Sequence, residues 1–566
     1  MEVARRRRPP GWAVVGVLVA LVVAGPLLAL PLSFIGEGRA LDQIASSLLP
    51  EALRNSAVLA LGVGLGSLLL GGSLAALVSF YDFPGRRWLD WALILPLAMP
   101  AYVLVFVLLG QYDADSALQS GLQRLFGDGF QLPDIRNTAG AITVLTLVLY
   151  PYVYVLGRAA FLDQSRDTLE NARALGLSHT RAVARVALPL ARPALAAGVA
   201  LSVMEALADF GAVNLLNYRA MTDAIYRVWY GTFDRSGALQ LATVLLTFTL
   251  TLVVLERLLR GRARYHGALA RGQAVIPRRL HGWRAGLATA LPIGLLLVVV
   301  AAPLAQLAVW SVQSLDEGAT GSALARAAAN SLVLAAVAAL VTVIAATVIT
   351  YGQRTHPSRF GAVAARLAAL GYAVPGTVIA VAIYAPLAWV DRRLDDVAGL
   401  GLVFTGTVLG LLLAYVVRFQ AMALSALGAR MSRIDDSLDD AARSLGADRT
   451  RVLSEIHLPL LWPGMLTGAL LVFVEVMKEL PATALLRPLG GDTLAVAVWE
   501  ATKDSRFDTA ALPALLIVAV GLAPVIMLVR LSRRGERLAG ESAILGGHGA
   551  QQRPEPQASH AKSISS

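Results

Sequence analysis

ENARALGLSHTRAVARVALPLARP, from Glu170 to Pro193, returns as DAARSLGADRTRVLSEIHLPLLWP, from Asp440 to Pro463, at an offset of 270 residues and without a gap. Gly176 meets Gly446, Val186 meets Ile456, Leu188-Pro189 meets Leu458-Pro459, and Pro193 meets Pro463. Both copies are polar, basic segments set between apolar runs long enough to cross a bilayer. The chain therefore reads as two similar membrane halves, each presenting the same device.

The composition agrees. Of 566 residues, 56% are hydrophobic and only 15% charged, with mean hydropathy +0.63, which excludes an ordinary soluble domain. The net charge of +11 does not point to nucleic acid, because the arginines gather in the loops between apolar runs, where a positive-inside bias places them. With no cysteine, disulfides, thiolate metal sites and a cysteine nucleophile are all excluded. None of the seven histidines lies in the middle of an apolar run.

Arg5 to Arg8 precede an apolar run to about Phe34 that suits an uncleaved first span with its N-terminus inside. Further spans are expected at about 57 to 80, 91 to 111, 138 to 160, 193 to 216 and 237 to 257. The second half repeats the series at about 286 to 313, 331 to 350, 363 to 389, 400 to 417, 463 to 486 and 511 to 530. The expected fold is an all-α integral membrane protein of about twelve transmembrane helices in two parallel-repeat halves of six. Residues 1–258 form the first half, with its loop at 163–193; 259–285 form a basic cytoplasmic connector; 286–535 form the second half, with its loop at 425–463; and 536–566 form a disordered tail. Counting spans from an inside N-terminus puts Arg86, Arg87, both repeated loops, the arginine-rich connector and Arg530, Arg533 and Arg534 on one side, the cytoplasm.

The duplication extends past the loop. Asn55-Ser56 and Pro100 correspond to Asn330-Ser331 and Pro375, and Glu205 and Trp229 correspond to Glu475 and Trp499. Such parallel repeats place a pseudo-two-fold axis along the membrane normal, with a path between the halves. Within each loop an acid-led helix with a small-residue face stops at Gly176 or Gly446, where positive φ lets the chain turn. A second helix then starts from a Ser or Asp cap and is expected to end at Leu-Pro, the next span beginning at the following proline. A pair of interfacial helices would explain one such loop, but not its recurrence at equivalent positions.

The pattern resembles the EAA motif of binding-protein-dependent ABC transporter permeases: EAA, three residues, Gly, nine residues, I-x-L-P. The second copy carries Asp440, Ala441, Ala442, Gly446, Ile456, Leu458 and Pro459 at those positions, and the first carries Glu170, Asn171, Ala172, Gly176, Val186, Leu188 and Pro189. The resemblance implies the type I ABC importer permease fold. It also implies that each loop is a coupling helix docking in a groove of an ABC ATPase subunit, two copies in all. The only lysines, Lys478, Lys503 and Lys562, do not follow glycine in a G-x-x-x-x-G-K-[ST] loop, so no cofactor is expected on this chain: ATP and Mg belong to the partner ATPase.

Charges lie within two of the spans. Glu205 and Glu475 each fall twelve residues after a proline, Pro193 or Pro463, beyond the midplane, and Asp209 and Glu479 lie one turn further on. Lys478, three residues from Glu475, is placed to pair with it. One reading is internal pairing that only holds helices together. The other is that symmetry-related carboxylates line a translocation path and favour a hard cation, with no metal site firmly assigned. MEALADFG with AIYRVWYG, and VMKELPATALLRP with DTLAVAVWE, are similar to the corresponding spans of the fused ferric-iron permeases. Fused thiamine permeases share that architecture, and polyamine, sulfate and phosphonate permeases share the loop. The segments around Trp229 and Trp499 read as interfacial helices anchored by tryptophan, a gate or a docking surface for a solute-binding protein being the alternative.

The expected protein is thus the permease of a bacterial inner-membrane importer, not itself an enzyme, with both termini cytoplasmic. Its expected partners are the ATPase subunits, an extracytoplasmic solute-binding protein and the lipid bilayer, and no nucleic acid. An ion-driven secondary transporter would also suit the buried acids but leaves the two loops unexplained, and a non-transporting scaffold leaves the matched depth of Glu205 and Glu475 unexplained.

Overall fold

A computed structural model describes residues 11–34, 39–113, 116–164, 166–260, 277–316 and 321–522. The arginine run at the N-terminus, most of the connector and the expected disordered tail lie outside them. The regular structure of the described chain is helical apart from one two-residue parallel strand pair, Tyr81–Asp82 with Arg278–Arg279.

Among the described residues eight helices are long and apolar enough to cross a membrane, and the pair Arg86–Ala98 and Ala101–Gln111, bent by 87°, makes a ninth when taken as one span. The other expected spans fall on Arg235–Arg260, on Gly376–Ala398 and on the shorter apolar helix Phe507–Leu522. Gly376–Ala398 ends in the charged run Asp391 to Asp396, and the span expected at about 400 to 417 begins as helix only at Val408. Its first residues fold instead around Asp391, whose carboxylate accepts backbone N–H bonds from Val403, Phe404 and Thr405 at 2.8 to 3.1 Å.

The breaks follow from chemistry repeated in both halves. Proline disfavours helical geometry in the residue before it. Met99 and Val374 are accordingly extended, and they split the spans into Leu95–Ala98 plus Ala101–Gln111 and Ala369–Ala373 plus Gly376–Ala398. The fifth span of each half also breaks. Leu188–Ala208 stops at Asp209 and resumes as Gly211–Leu215, and Leu458–Met477 stops at Lys478 and resumes as Pro481–Leu486. Irregular backbone at membrane depth is tolerated where it lines a polar cavity inside the protein. Three of these breaks line one such cavity, and Gly376 at the fourth lies against its Arg418 and Glu479 side chains.

The halves interlock. Gly11–Ala29 packs on Gly321–Thr355, Arg359–Ala368 and Gly376–Ala398 of the second half, Gly16 lying close against Gly352 and Trp12 edge-on to Tyr351. Conversely, Trp283–Leu296 touches Arg86–Ala92, and Ala302–Asp316 touches Ala101–Gln111. There Gln111 bonds Gln306 at 2.5 Å, and Phe106, Trp310 and Phe507 stack together.

Candidate functional site

Each repeated loop forms a bent pair of helices. Arg166–Ala174 ends with Gly176 at φ +89°, and Asp436–Ser444 ends with Gly446 at φ +82°. In both, the N–H two residues past the turn's start reaches back to close it: Leu177 N bonds Ala172 O at 3.2 Å, and Ala447 N bonds Ala442 O at 3.0 Å. Ala172 and Ala442 face inward, whereas Leu175 and Leu445, immediately before the glycines, are 86% and 85% exposed. Both halves thus hold an apolar side chain in the open at the same position of the repeat. The EAA pattern does not include these leucines.

Beyond the elbow the structure corrects the sequence reading. Leu-Pro does not end the second helix: His179 to Ala208 and Thr450 to Met477 are each one continuous span. The ladder widens to a π turn at Val183–Ala187 and at Leu453–His457, with Leu188 N donating to Val183 O and Leu458 N to Leu453 O. Pro189 and Pro459, with no N–H to give, fall where the ladder returns to α, so the extra residue of the wide turn absorbs the missing donor. One rigid rod thus runs from each elbow to the buried carboxylates.

The two elbows are fastened differently. Asp439 accepts from His457 Nε2 at 2.7 Å and from Arg354 Nε at 3.0 Å, and Arg354 also donates to the Ile434 and Asp435 carbonyls. At the equivalent positions of the first half stand Leu169 and Ala187, and there apolar packing and an edge-on contact of His179 with Tyr81 hold the loop. Burial would raise the Asp439 carboxyl, but the bonds from His457 and Arg354 and the charges behind them hold it below its ordinary value. A depressed carboxylate contributes stability that is complete above its unfolded pKa of about 4 and is lost as pH falls through the folded value. Asp439→Asn is therefore expected to lower stability near pH 7 by on the order of 3 kcal/mol and to flatten the acid limb below about pH 4. Thermal unfolding of the purified permease across that range checks this; parallel pH profiles for the two proteins would refute it.

All five charged residues within spans singled out from the sequence, Glu205, Asp209, Glu475, Lys478 and Glu479, line one cavity of about 110 Å³, together with Pro100, Tyr102, Tyr152 and Arg418. Lys478 Nζ pairs with Glu475 at 2.8 Å, and Arg418 Nε pairs with Glu479 at 3.1 Å. Asp209 and Glu479 also cap the short helices after the breaks, accepting from Ala212 N at 2.7 Å and Ala482 N at 2.9 Å. The same two carboxylates therefore fix the broken backbone and face the cavity. The Tyr102 hydroxyl and Arg418 Nη1 are buried there without a hydrogen-bond partner among the described residues. Among the described residues no three His, Asp or Glu side chains are grouped to hold a metal ion. Arg418 was missed because it falls one residue past the expected end of a span, within LLLAYVVRFQ, where a loop arginine is ordinary.

Toward the end opposite the elbows, aromatic rings close the cavity. Phe210, which borders it, stands 4.8 Å from Tyr226 and 5.6 Å from Trp499, and Trp499 Nε1 bonds Asn214 of the other half at 3.0 Å. Tyr230 donates to the Ala484 and Leu485 carbonyls across the same boundary. Trp229 and Trp499 are both only 2% exposed, which corrects their reading as interfacial anchors. The aromatic-belt expectation assumes a ring facing lipid headgroups; these rings pack inside the protein, Trp229 against Tyr384 and Arg235, and Trp499 between the halves.

Two interlocked helical halves, with broken spans around a charged cavity and an aromatic closure at one end, define a multi-pass membrane permease. The family profile described as binding-protein-dependent transport system inner membrane component matches residues 67–265 and again 338–537, and the chain belongs to that family. It is thereby the permease subunit of an ABC importer. It is 27% identical over 529 residues to the Fe(3+)-transport system permease protein FbpB 2 of Haemophilus influenzae, a match covering 92% of this chain and 98% of that protein. The molybdate/tungstate transport system permease protein WtpB of Thermococcus kodakarensis is 23% identical over 256 residues, covering 44% of this chain and 95% of that protein. The probable sulfate transport system permease protein cysT of Nephroselmis olivacea is 30% identical over 214 residues, covering 36% of this chain and 73% of that protein.

Proposed function

We propose that this chain is the translocating subunit of an importer of ferric iron, brought to its outer face by a solute-binding protein and driven by two copies of a separate ATP-binding subunit seated on the elbows at Gly176 and Gly446. The observation that carries the cargo is the match to a ferric permease along 92% of this chain, whereas the molybdate and sulfate relatives each span less than half of it. On this reading ATP and Mg²⁺ stay on the partner subunits. The elbows, with Arg86 and Arg87 near them, face the cytoplasm of an inner membrane, and the aromatic closure faces outward.

The proposed mechanism is alternating access. ATP-bound and ATP-free partners contact the elbows differently, and that difference in contact free energy shifts the balance between two arrangements of the halves. The rods from Val183 and Leu453 carry the shift to Glu205, Asp209, Glu475, Lys478 and Glu479 and so to the rings that close the path. Ferric ion, as cargo, passes a cavity whose four carboxylates outnumber its two cations, Arg418 and Lys478.

Glu475→Gln is expected to lower ferric uptake at least about ten-fold, because it frees Lys478 from its partner inside the path. The measurement is uptake by vesicles reconstituted with the ATP-binding subunit and each candidate binding protein. Wild-type rates of ferric uptake in both Glu475→Gln and Glu479→Gln, or uptake supported only by a thiamine- or sulfate-loaded binding protein, would reject iron as the cargo.

A further inference from the structure

Beyond the aromatic closure lies a second cavity of about 430 Å³, lined by Arg136, Arg227 and Lys503, by Asn214, Asn217, Thr502 and Ser505, and by no carboxylate. Its three cations come from separate places: the segment ahead of Thr138–Leu162, the helix Met221–Gly231, and the C-terminal turn of Leu494–Lys503. Two belong to the first half and one to the second, so the cavity exists only where the halves meet. Arg227 is already neutralised, its Nε paired with buried Asp223 at 2.5 Å and a second nitrogen donating to Asn217 Oδ1 at 3.1 Å. Arg136 and Lys503 have no ion-pair partner among the described residues. Asp113 and Asp134 line the neighbouring cavity with Arg136, and Asp134 spends one oxygen on the Arg136 backbone N–H. Asn217 and Ser505, which line it from opposite halves, both take a left-handed backbone at φ +54° and +56°, a region asparagine enters readily and serine seldom.

We propose that this vestibule is an anion site, and that the cargo enters the permease as an oxyanion-bearing species rather than as a bare cation. A naked trivalent ion would be repelled by Arg136 and Lys503, whereas an oxygen-rich anion meets two unpaired cations and a set of amide and hydroxyl donors. The site also reads out on the closure. Lys503 Nζ rests 4.6 Å from the centre of the Trp499 ring, and Asn214, on the cavity wall, holds the Trp499 indole N–H. An anion that draws Lys503 away removes one of the contacts fixing Trp499 in the closed position. This inference deepens the proposed transport role by naming the chemical form of the cargo.

The test is equilibrium binding of radiolabelled phosphate, sulfate and ferric citrate to the full-length permease in lipid nanodiscs, without partner subunits. Saturable binding of at least one of these is expected, weakened about ten-fold in Lys503→Gln or Arg136→Gln, as loss of one charge-assisted hydrogen bond predicts. Arg326→Gln, at an exposed arginine that lines neither cavity, should bind as wild type. Retention of ferric citrate alone would assign the anion to a chelate around the metal. Retention of the free oxyanions alone would keep the anion site and overturn iron as cargo. No saturable binding, binding unchanged in the Arg136→Gln/Lys503→Gln double variant, or preference for uncomplexed trivalent gallium over every anion would overturn the proposal.

Discussion

Replacing Arg418 by methionine is expected to abolish transport and to destabilise the purified permease by about 3–5 kcal/mol, the usual cost of removing one partner of a buried ion pair. Among the described residues its guanidinium is the one charge paired with Glu479, whose side chain is 4% exposed and whose other oxygen caps Pro481–Leu486. Without Arg418 that carboxylate stands buried with no ion-pair partner among the described residues, and the cap that fixes the break in the span is left on an uncompensated charge. The control is Arg418→Met/Glu479→Met. It should recover much of the thermal stability, because a matched apolar pair leaves no buried charge, yet remain inactive in uptake. If the double variant transports at the wild-type rate, the pair serves only to hold helices together.

Gly176→Val and Gly446→Val are expected each to lower ATP-driven uptake at least about ten-fold, and together to eliminate it, while the chain still inserts and folds. An L-residue in the left-handed region costs about 1–2 kcal/mol, and a β-branched one is worse placed still. Nothing lies within 4 Å of where a Cβ would stand at either glycine, so the penalty falls on the turn itself rather than on packing. The elbow would relax to another conformation and swing its exposed leucine away. Asparagine, which enters the left-handed region readily, should restore most of the loss. Uptake assays beside protein levels decide this, and unimpaired uptake in the double valine variant would remove the elbows from the mechanism.

Much of this was legible in sequence because it is written locally. The elbows need only a glycine after an acid-led helix, and the repeat itself marks Glu205 with Glu475 as partners at matched depth. Pro100 and Pro375 were visible as a repeated pair, but whether a proline kinks a span, breaks it or starts it depends on what lies alongside. The opposite outcome at Pro189 and Pro459, where a π turn carries the helix through, rests on hydrogen-bond register rather than composition. The fastening of Asp439 was out of reach because Arg354 lies 85 residues before it, and His457 18 after it. Nor does any local pattern announce that the first span of each half packs on the other half. Trp229 and Trp499 show the limit plainly: amphipathic spacing places a tryptophan equally well at a lipid interface or in a buried seam between halves.

The central claim, that a motor on another polypeptide grips these two elbows, has a direct test in the absence of any cysteine from the chain. Leu175→Cys or Leu445→Cys introduces a lone thiol at an elbow, and Ser505→Cys places one on the opposite face. Short-span crosslinking in membranes that co-express the chain with its ATP-binding subunit is expected to join that subunit to positions 175 and 445, with a yield that changes when ATP is added, and not to position 505. Crosslinks confined to position 505, or no adduct with the ATP-binding subunit from either elbow, would contradict the account.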